Sequence, residues 1–407
     1  MQRVFYGILT RVQEGMIILI HAIKLENFLS FGENTGFIPL TPLNIVIGPN
    51  GSGKSNLLES IELLRNAPGQ LLKSIREGGG VSEWLWKGHQ GTPVASLDVI
   101  INNHPNRQPR NLRYSLSFTA VNQRFEIVDE KLENESPIDS SHAEPFFYYR
   151  FNGGHPMLNV RGDRRALQRE DVDMEKSILS QRRDPDQYPE ITYVAQQFEK
   201  IRLYREWSFG RYTTPRLPQK ADLPNEVLEP DASNLGLVLS RLRRYSTAKT
   251  RLLDALRTLY DGIEDYDLQI EGGTVQVFFQ EGRFTIPATR LSDGTLRYLS
   301  LLAILCHPSP PPLVCIEEPE LGLHPDVLPT LADLLKEASE RCQLIVTTHS
   351  DVLVDAMSDQ PESVLVAEKS DEGTKLTRLD ANKLQPWLED YRLGQLWTRG
   401  EIGGTRW

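Results

Sequence analysis

The sequence predicts an α/β fold whose layer begins near the N-terminus, is interrupted by an antiparallel β subdomain and a helical lobe, and resumes after residue 286. Three observations carry this. A strand, a glycine loop and a helix follow one another from Leu43. Strands and helices alternate regularly from Gly294 to Ala367. The residues between read first as a β meander and then as helices.

Ile17 to Phe28 (IILIHAIKLENF) is apolar and β-branched and breaks at Ser30 and Gly32, a strand and turn. Leu43 to Ile47 (LNIVI) is a second strand that ends in GPNGSGKS and opens into NLLESIELL, with leucines and isoleucine at helical spacing. Ser96 to Ile101, Leu112 to Phe118, Arg124 to Asp129 and Phe146 to Phe151 alternate or bear aromatics, with Asn, Pro and Gly between, as in an antiparallel meander. Arg161 to Asp186 mixes charges of both signs with few large apolar residues and reads as solvated helix or mobile loop. Ile191 to Trp207 and Ala232 to Tyr260 show helical periodicity, the second with Ser233 as its cap. A hairpin from Tyr266 to Ile286 turns at Gly272-Gly273 and Gly282. After it come a helix from Gly294, a strand Leu313 to Ile316, a helix from Pro325, a strand Leu344 to Thr347, a helix from Asp351 and a strand Ser363 to Ala367. The expected division is a core half over 16–95, a β subdomain over 96–160, a helical lobe with a charged loop over 161–265, the second core half over 266–370 and a tail over 371–407. No fixed-period repeat and no heptad array is present.

Composition narrows the classes. A chain of 407 residues, 39% hydrophobic and 25% charged, suffices for two or three lobes, and 29 glycines with 26 prolines exclude a collagen-like or broadly disordered chain. The net charge of -10 excludes a uniformly basic nucleic-acid coat and leaves a local basic face open. Cys306, Cys315 and Cys342 are too few and too scattered for a disulfide framework or a zinc site, which fits a reducing cytoplasm. Met16 to Ile23, the longest apolar stretch near the start, falls short of the roughly 20 residues of a spanning helix, so no membrane partner is expected. Residues 1–15 precede an internal Met16 without a pairing pattern and read equally as an N-terminal extension of the frame or as native chain.

Gly48-Pro49-Asn50-Gly51-Ser52-Gly53-Lys54-Ser55 matches the phosphate-loop pattern G-x-x-x-x-G-K-[ST] in full. Its backbone N–H groups from Asn50 to Ser55, with Asn56 following, are the expected ATP cradle. Lys54 offsets β/γ charge, the Ser55 hydroxyl ligates Mg²⁺, and the helix start adds its positive end. The strand Leu313-Val314-Cys315-Ile316 delivers Glu317 and Glu318 at its C-terminal end, where ligands of parallel sheets sit. Successive side chains diverge there, so Glu317 is expected to hold Mg²⁺, directly or through water, and Glu318 to polarise the attacking water. Leu344-Ile345-Val346-Thr347-Thr348-His349-Ser350 is a further buried strand, and His349 at its end is placed to hydrogen-bond the γ-phosphate or the water. Alone, an acidic pair or a histidine in such places is more often structural; beside a complete phosphate loop both read as catalytic.

Arg290-Leu291-Ser292-Asp293-Gly294-Thr295 precedes an apolar helix, Leu296 to Leu305. With this segment the chain resembles the ABC-type ATPase heads of the RecF, SMC and OLD-like proteins, in which an LSGG-like signature lies just before the acidic strand. The resemblance covers both ends of the chain in the order phosphate loop, signature, acidic pair, ELGLHP-like loop and TTHS strand. It implies an α/β P-loop NTPase fold of the ABC-ATPase head type with an inserted antiparallel β subdomain and helical lobe. It also implies a homodimer in which Ser292 and Gly294 of one subunit cap the γ-phosphate held by the other. Asp293 stands where the transporter-like pattern has glycine, and Thr295 where it has glutamine or glutamate; a carboxylate beside a phosphate is costly unless it points away or is paired. LSDGT, Glu83-Trp84-Leu85-Trp86-Lys87-Gly88 and the segment Leu396 to Gly404 look closer to a bacterial branch of ABC-type ATPases, many of them in antiphage defence operons. The Mg²⁺-sensing glutamine of such heads has candidates in Gln196 and Gln197, which also read as a plain polar helix face.

Two stretches are basic against the acidic total: Lys200, Arg202, Arg205, Arg211, Arg216 and Lys220, with Tyr204, Trp207 and Tyr212 interleaved, and Arg241, Arg243, Arg244, Lys249 and Arg251. They read equally as a DNA contact and as a solvated or partner-facing surface. The leading expectation is an ATPase that dimerises on ATP and gates a separate effector, a nuclease or toxin, in phage defence. The alternatives are a RecF-like DNA repair or recombination ATPase and a non-hydrolysing nucleotide-dependent scaffold. The lobe between phosphate loop and signature is too short for an SMC coiled coil, and the residues after His349 must supply a helix, a strand and a tail. No effector is therefore expected within this chain.

Overall fold

The computed structural model of the chain describes residues 18–103, 111–137, 143–152, 155–160, 163–166 and 172–404; the expected N-terminal extension, 1–15, lies outside them. Strands β1 (Ile20–Glu26) and β2 (Ile38–Pro39) precede β3 (Leu43–Ile47), and helices α1 (Lys54–Asn66), α2 (Leu71–Glu77) and α3 (Val81–Trp84) follow it. The meander is β4 (Ala95–Ile101), β5 (Leu112–Val121), β6 (Arg124–Asn134), β7 (Phe147–Asn152), β8 (His155–Val160) and β9 (Asp163–Ala166). Then come α4 (Ile178–Gln181), α5 (Pro189–Glu199), β10 (Arg202–Tyr204), β11 (Gln219–Lys220), α6 (Leu235–Leu242) and α7 (Ser246–Leu259). A further run holds β12 (Asp265–Glu271), β13 (Thr274–Glu281), β14 (Phe284–Pro287), α8 (Asp293–Leu305), β15 (Leu313–Glu317), α9 (Leu328–Ser339), β16 (Gln343–Thr347) and α10 (Asp351–Asp355). The chain closes with β17 (Val364–Ser370), β18 (Gly373–Arg378), α11 (Ala381–Leu388) and α12 (Leu393–Thr398).

Two units partition these residues: Leu19–Leu203, Cys315–Glu318 and Ile345–Trp407 form one, which carries the phosphate loop, and Tyr204–Val314 with Pro319–Leu344 forms the other, which carries the signature. The phosphate-loop unit holds a sheet of order β10-β15-β16-β3-β17-β18, in which β3 and β17 pair parallel and β17 and β18 antiparallel. All five residues of β3 are buried, so a near-continuous apolar run is what a central strand requires. The same unit holds an eight-stranded antiparallel sheet, β2-β1-β4-β5-β6-β7-β8-β9. β1 joins this second sheet, pairing with β4 from Ile20↔Ile101 to Glu26↔Ser96. In the signature unit β13 is flanked by β12, β11 and β14, with turns at the glycines of the expected hairpin.

Several expectations are corrected. The described part of 161–186 is neither helix nor loop throughout: Asp163–Ala166 is an edge strand and Ile178–Gln181 a short helix. The helix expected over 191–207 stops at Glu199, and the chain continues extended through Arg202–Tyr204, where the neighbours Leu203 and Tyr204 are both buried, as two faces of a strand allow. The helix expected over 232–260 is two, broken at Arg243–Tyr245. Leu235, Val238, Leu239 and Leu242 of α6 continue in phase with Leu253 and Leu256 of α7, so apolar spacing alone runs straight through the break. Ser233 does not cap α6; Asn234 holds that place, and its amide donates to the carbonyls of Pro224 (2.7 Å) and Val227 (2.8 Å).

The core of the eight-stranded sheet contains an ionisable group. Glu130 on β6 is 1% exposed and accepts bonds from Ser177 Oγ (2.5 Å), Tyr114 OH (2.7 Å) and the Ile178 N–H (2.9 Å). Burial pushes its carboxyl up from 4.5 to about 7, although the three donors pull the other way. The folded chain therefore holds this proton while the unfolded chain releases it between the two values, and stability falls as pH rises from about 4.5 to about 7. Glu130→Gln is expected to flatten the decline of the urea midpoint over that range; an unchanged slope contradicts the assignment.

Candidate active site

β3 ends at Ile47, and the loop from Gly48 turns into α1 at Gly53, whose φ of 100° lies in the left-handed region. A Cβ at Gly53 would also stand 2.3 Å from Thr374 Oγ1, so glycine is required twice over. Lys54 is 6% exposed, and its ammonium folds back to donate to the carbonyls of Gly48 (2.8 Å) and Pro49 (3.0 Å). The Ser52 hydroxyl is buried without a hydrogen-bond partner, a polar atom waiting for one.

Behind the loop, Thr374 Oγ1 on β18 lies 2.9 Å from the Ser52 carbonyl and 2.7 Å from Ser30 Oγ, which in turn receives the Asn56 amide at 2.7 Å. Asn56, expected to bind nucleotide, is thus part of this brace. Ser30 and Thr374 were not legible as site residues: one sits in a turn after β1 and the other 322 residues from the carbonyl it touches. Only their hydroxyl side chains, one in a turn and one near the start of a strand, could have hinted at them.

The acidic strand delivers its two carboxylates in different directions. Glu317 Oε1 accepts the Ser55 hydroxyl at 2.5 Å, which places the two expected Mg²⁺ ligands side by side. Glu318 takes φ 45°, a left-handed conformation rare for a non-glycine residue and rarer before a proline. Its N–H donates to the Thr347 carbonyl at 3.0 Å, and its Oε1 stands 3.3 Å from His349 Nε2. Backbone strain of this kind costs on the order of 1–3 kcal/mol and persists where surrounding structure holds it. Here β16 does: Thr347 and Thr348 are buried, and the Thr348 N–H donates to the Val46 carbonyl of β3 at 3.1 Å. Phosphate loop, Glu317, Glu318 and His349 thus converge in one unit.

The pair Ser55–Glu317 fits a hard dication, which takes one or two protein oxygens and completes its shell with phosphate oxygens and water. Among the described residues no group of three or more His, Cys, Asp or Glu side chains is arranged for a metal. An ion here would take its remaining ligands from phosphate oxygens and water.

In the signature unit Ser292 caps α8 by accepting the Thr295 N–H at 3.0 Å. Gly294 lies so close to the ELGLHP-like loop that a Cβ would meet the Gly322 carbonyl at 2.6 Å. Asp293, the departure from the resembling pattern, is ion-paired with Arg216.

Gln196 is exposed and Gln197 half-buried on the polar face of α5. Four of the eleven basic residues in the two stretches are ion-paired: Arg243 with Asp267, Lys249 with Asp265, Arg251 with Glu337 and Arg216 with Asp293. Tyr204 is a core residue whose hydroxyl donates to the Leu228 carbonyl (2.7 Å), and Trp207 lies under Arg297 (5.5 Å). Tyr204 and Trp207 are thus packing residues, where a stacking platform for bases was one reading, while Tyr212, the third aromatic of the stretch, is exposed. Trp84 is likewise core, against Phe28 (5.7 Å), and Trp397 Nε1 donates to the Gly404 carbonyl (2.9 Å), so the EWLWKG and C-terminal segments serve packing.

Residues 43–355, more than half of the chain, match the family described as "AAA domain, putative AbiEii toxin, Type IV TA system". The OLD nuclease of Thermus scotoductus is 22% identical over 357 residues, 83% of this chain and 60% of the relative. The chromosome partition protein Smc of Rhodopirellula baltica is 32% identical over 94 residues, 22% of this chain and 8% of that protein. The chain spans less than two thirds of the length of these curated relatives. Among solved structures, an Smc head bound to the C-winged helix domain of ScpA superposes with a TM-score of 0.56 at 17% identity, covering 90% of this chain and 99% of that one. An Smc head domain with an extended coiled coil, bound to the C-terminal domain of ScpA derived from Pyrococcus furiosus, gives 0.55 at 16%, covering 91% and 99%.

Proposed function

The chain belongs to this AAA-domain family and has the fold of an SMC- and OLD-like ABC-type ATPase head, and on that premise we propose that it hydrolyses ATP in a site completed by a second copy of itself. The observation that carries the reading is the divergence of Glu317 toward Ser55 and of Glu318 toward His349 beside a complete phosphate loop. The polyphosphate lies along the backbone N–H groups from Gly51 to Ser55, and Lys54 leaves the carbonyls of Gly48 and Pro49 to meet phosphate oxygens. Ser55 and Glu317 would hold Mg²⁺, which when bound neutralises charge between the β- and γ-phosphates. Glu318 accepts a proton from water as its oxygen bonds the γ-phosphorus; the bond to the β–γ bridging oxygen breaks, and ADP leaves. His349 holds the Glu318 carboxylate in line and reports whether the γ-phosphate is present.

Ser292 and Gly294 of the second copy close over the γ-phosphate, and opening after hydrolysis is the signal passed on. The core halves 16–95 and 266–370 form this head, with 96–160 and 161–265 inserted. The output is a separate effector, a nuclease or toxin in antiphage defence, a reading supported by the toxin–antitoxin description of the family and by an OLD nuclease matching most of the chain. Three of the five basic residues in 241–251 are ion-paired, which speaks against a continuous DNA-contacting stripe there and leaves the repair reading without support from that stretch; an intact Glu318–His349 pair speaks against a non-hydrolysing scaffold. Purified protein with Mg²⁺ and ATP is expected to release phosphate, faster per chain as protein concentration rises. No release at any concentration, alone or with the product of a neighbouring gene, overturns the proposal.

A further inference from the structure

Asp293 opens α8 one residue after its cap, on the turn that would receive the second copy's phosphate. A helix start offers about half a positive charge. The Asp293 carboxylate, 67% exposed, outweighs it and would leave the turn repelling a polyphosphate. The opposing charge comes from a side chain 77 residues earlier. Arg216, only 7% exposed, pairs with Asp293 while donating to the carbonyls of Phe209 (3.0 Å), Leu291 (2.5 Å) and Thr289 (3.4 Å). All three nitrogens of its planar fork donate, an arrangement a lysine could not reproduce.

A second contact repeats the grip on the same helix. Trp207 lies 5.5 Å under the Arg297 guanidinium, and residues 293 and 297 are one turn apart on one face of α8. The segment 207–216 is therefore a strap that holds the signature helix at both places.

We infer that Arg216 is the positioning residue of the signature: it cancels the Asp293 charge and fixes the turn, making a site that carries an acid able to accept a phosphate from a second copy. This rests on the proposed ATP-dependent pairing of two chains. For the helix start and Asp293 taken with Arg216, the sum is about half a positive charge; without Arg216 those two give about half a negative one.

The test measures ATP·Mg²⁺-dependent association against salt in a Glu318→Gln chain, in which the ATP-bound pair does not decay. Arg216→Gln is expected to weaken association roughly tenfold or more at low salt, since an uncompensated charge faces the phosphates. The loss should shrink in high salt, where an exposed charge is screened within about 3 Å at 1 M. Adding Asp293→Asn to Arg216→Gln should restore association, and Asp293→Asn alone should associate at least as tightly as the parent. Equal association by Arg216→Gln and the parent overturns the inference, as does a loss on Asp293→Asn that matches the loss on Arg216→Gln, because a purely structural clasp needs both partners. Should Arg216→Gln fail to fold, the single Asp293→Asn variant decides between the same two outcomes. If the Glu318→Gln parent itself stays a single chain with ATP, the proposed pairing falls and the inference with it, a result distinct from a parent that pairs and variants that do not respond.

Discussion

Glu318→Gln is expected to lower ATP turnover by roughly two to four orders of magnitude, the range over which a positioned general base contributes. Glutamine keeps the length of the side chain and its reach toward His349 but cannot take the proton of the attacking water. Because the replacement also keeps the φ of 45° and the bond from the residue 318 N–H to Thr347, the thermal midpoint should move by little. Nucleotide affinity should hold, since Lys54, Ser55 and Glu317 are untouched. A variant that turns over within threefold of the wild type would remove Glu318 from the chemistry. A variant that loses nucleotide binding as well would assign it a structural role.

Lys54→Ala is expected to act on the other half of the cycle. Its ammonium is buried and bonded to two loop carbonyls, so the charge is already desolvated before a phosphate arrives, and the exchange of partners costs little. Truncating one member of a buried charged pair costs about 2–5 kcal/mol, which corresponds to at least ~30-fold in Kd. Calorimetric titration with a non-hydrolysable ATP analogue reads this directly. A Kd within threefold of the wild type would mean that the backbone cradle alone holds the phosphates.

How far the site was legible follows from where its partners lie in the chain. Gly48 to Ser55, Glu317 with Glu318, and His349 each sit at the end of a short apolar strand, and a run of consecutive residues shows both the strand and the group it delivers. The divergence of the two glutamates was legible for the same reason, since neighbours at a strand end must point apart. What escaped were pairs made across the fold. Arg216 looked like one cation of a basic stretch, and only its placement beside Asp293 turns it into a clasp. Arg243, Lys249 and Arg251 read equally as a DNA contact and as a solvated surface, and only the fold shows Asp267, Asp265 and Glu337 opposite them. Thr374 and Ser30 brace the phosphate loop from elements far from it in sequence. The helix boundaries failed for a local reason, because the in-phase spacing of α6 and α7 hides a break that tertiary packing imposes.

The claim at the centre of this account is that the catalytic site is finished by a second chain. Native mass of the Glu318→Gln protein with ATP and Mg²⁺, against ADP and against no nucleotide, tests it most directly. The mass of two chains is expected with ATP and of one chain in both other conditions. A single-chain mass in all three, with ATP bound at full stoichiometry, would contradict the claim.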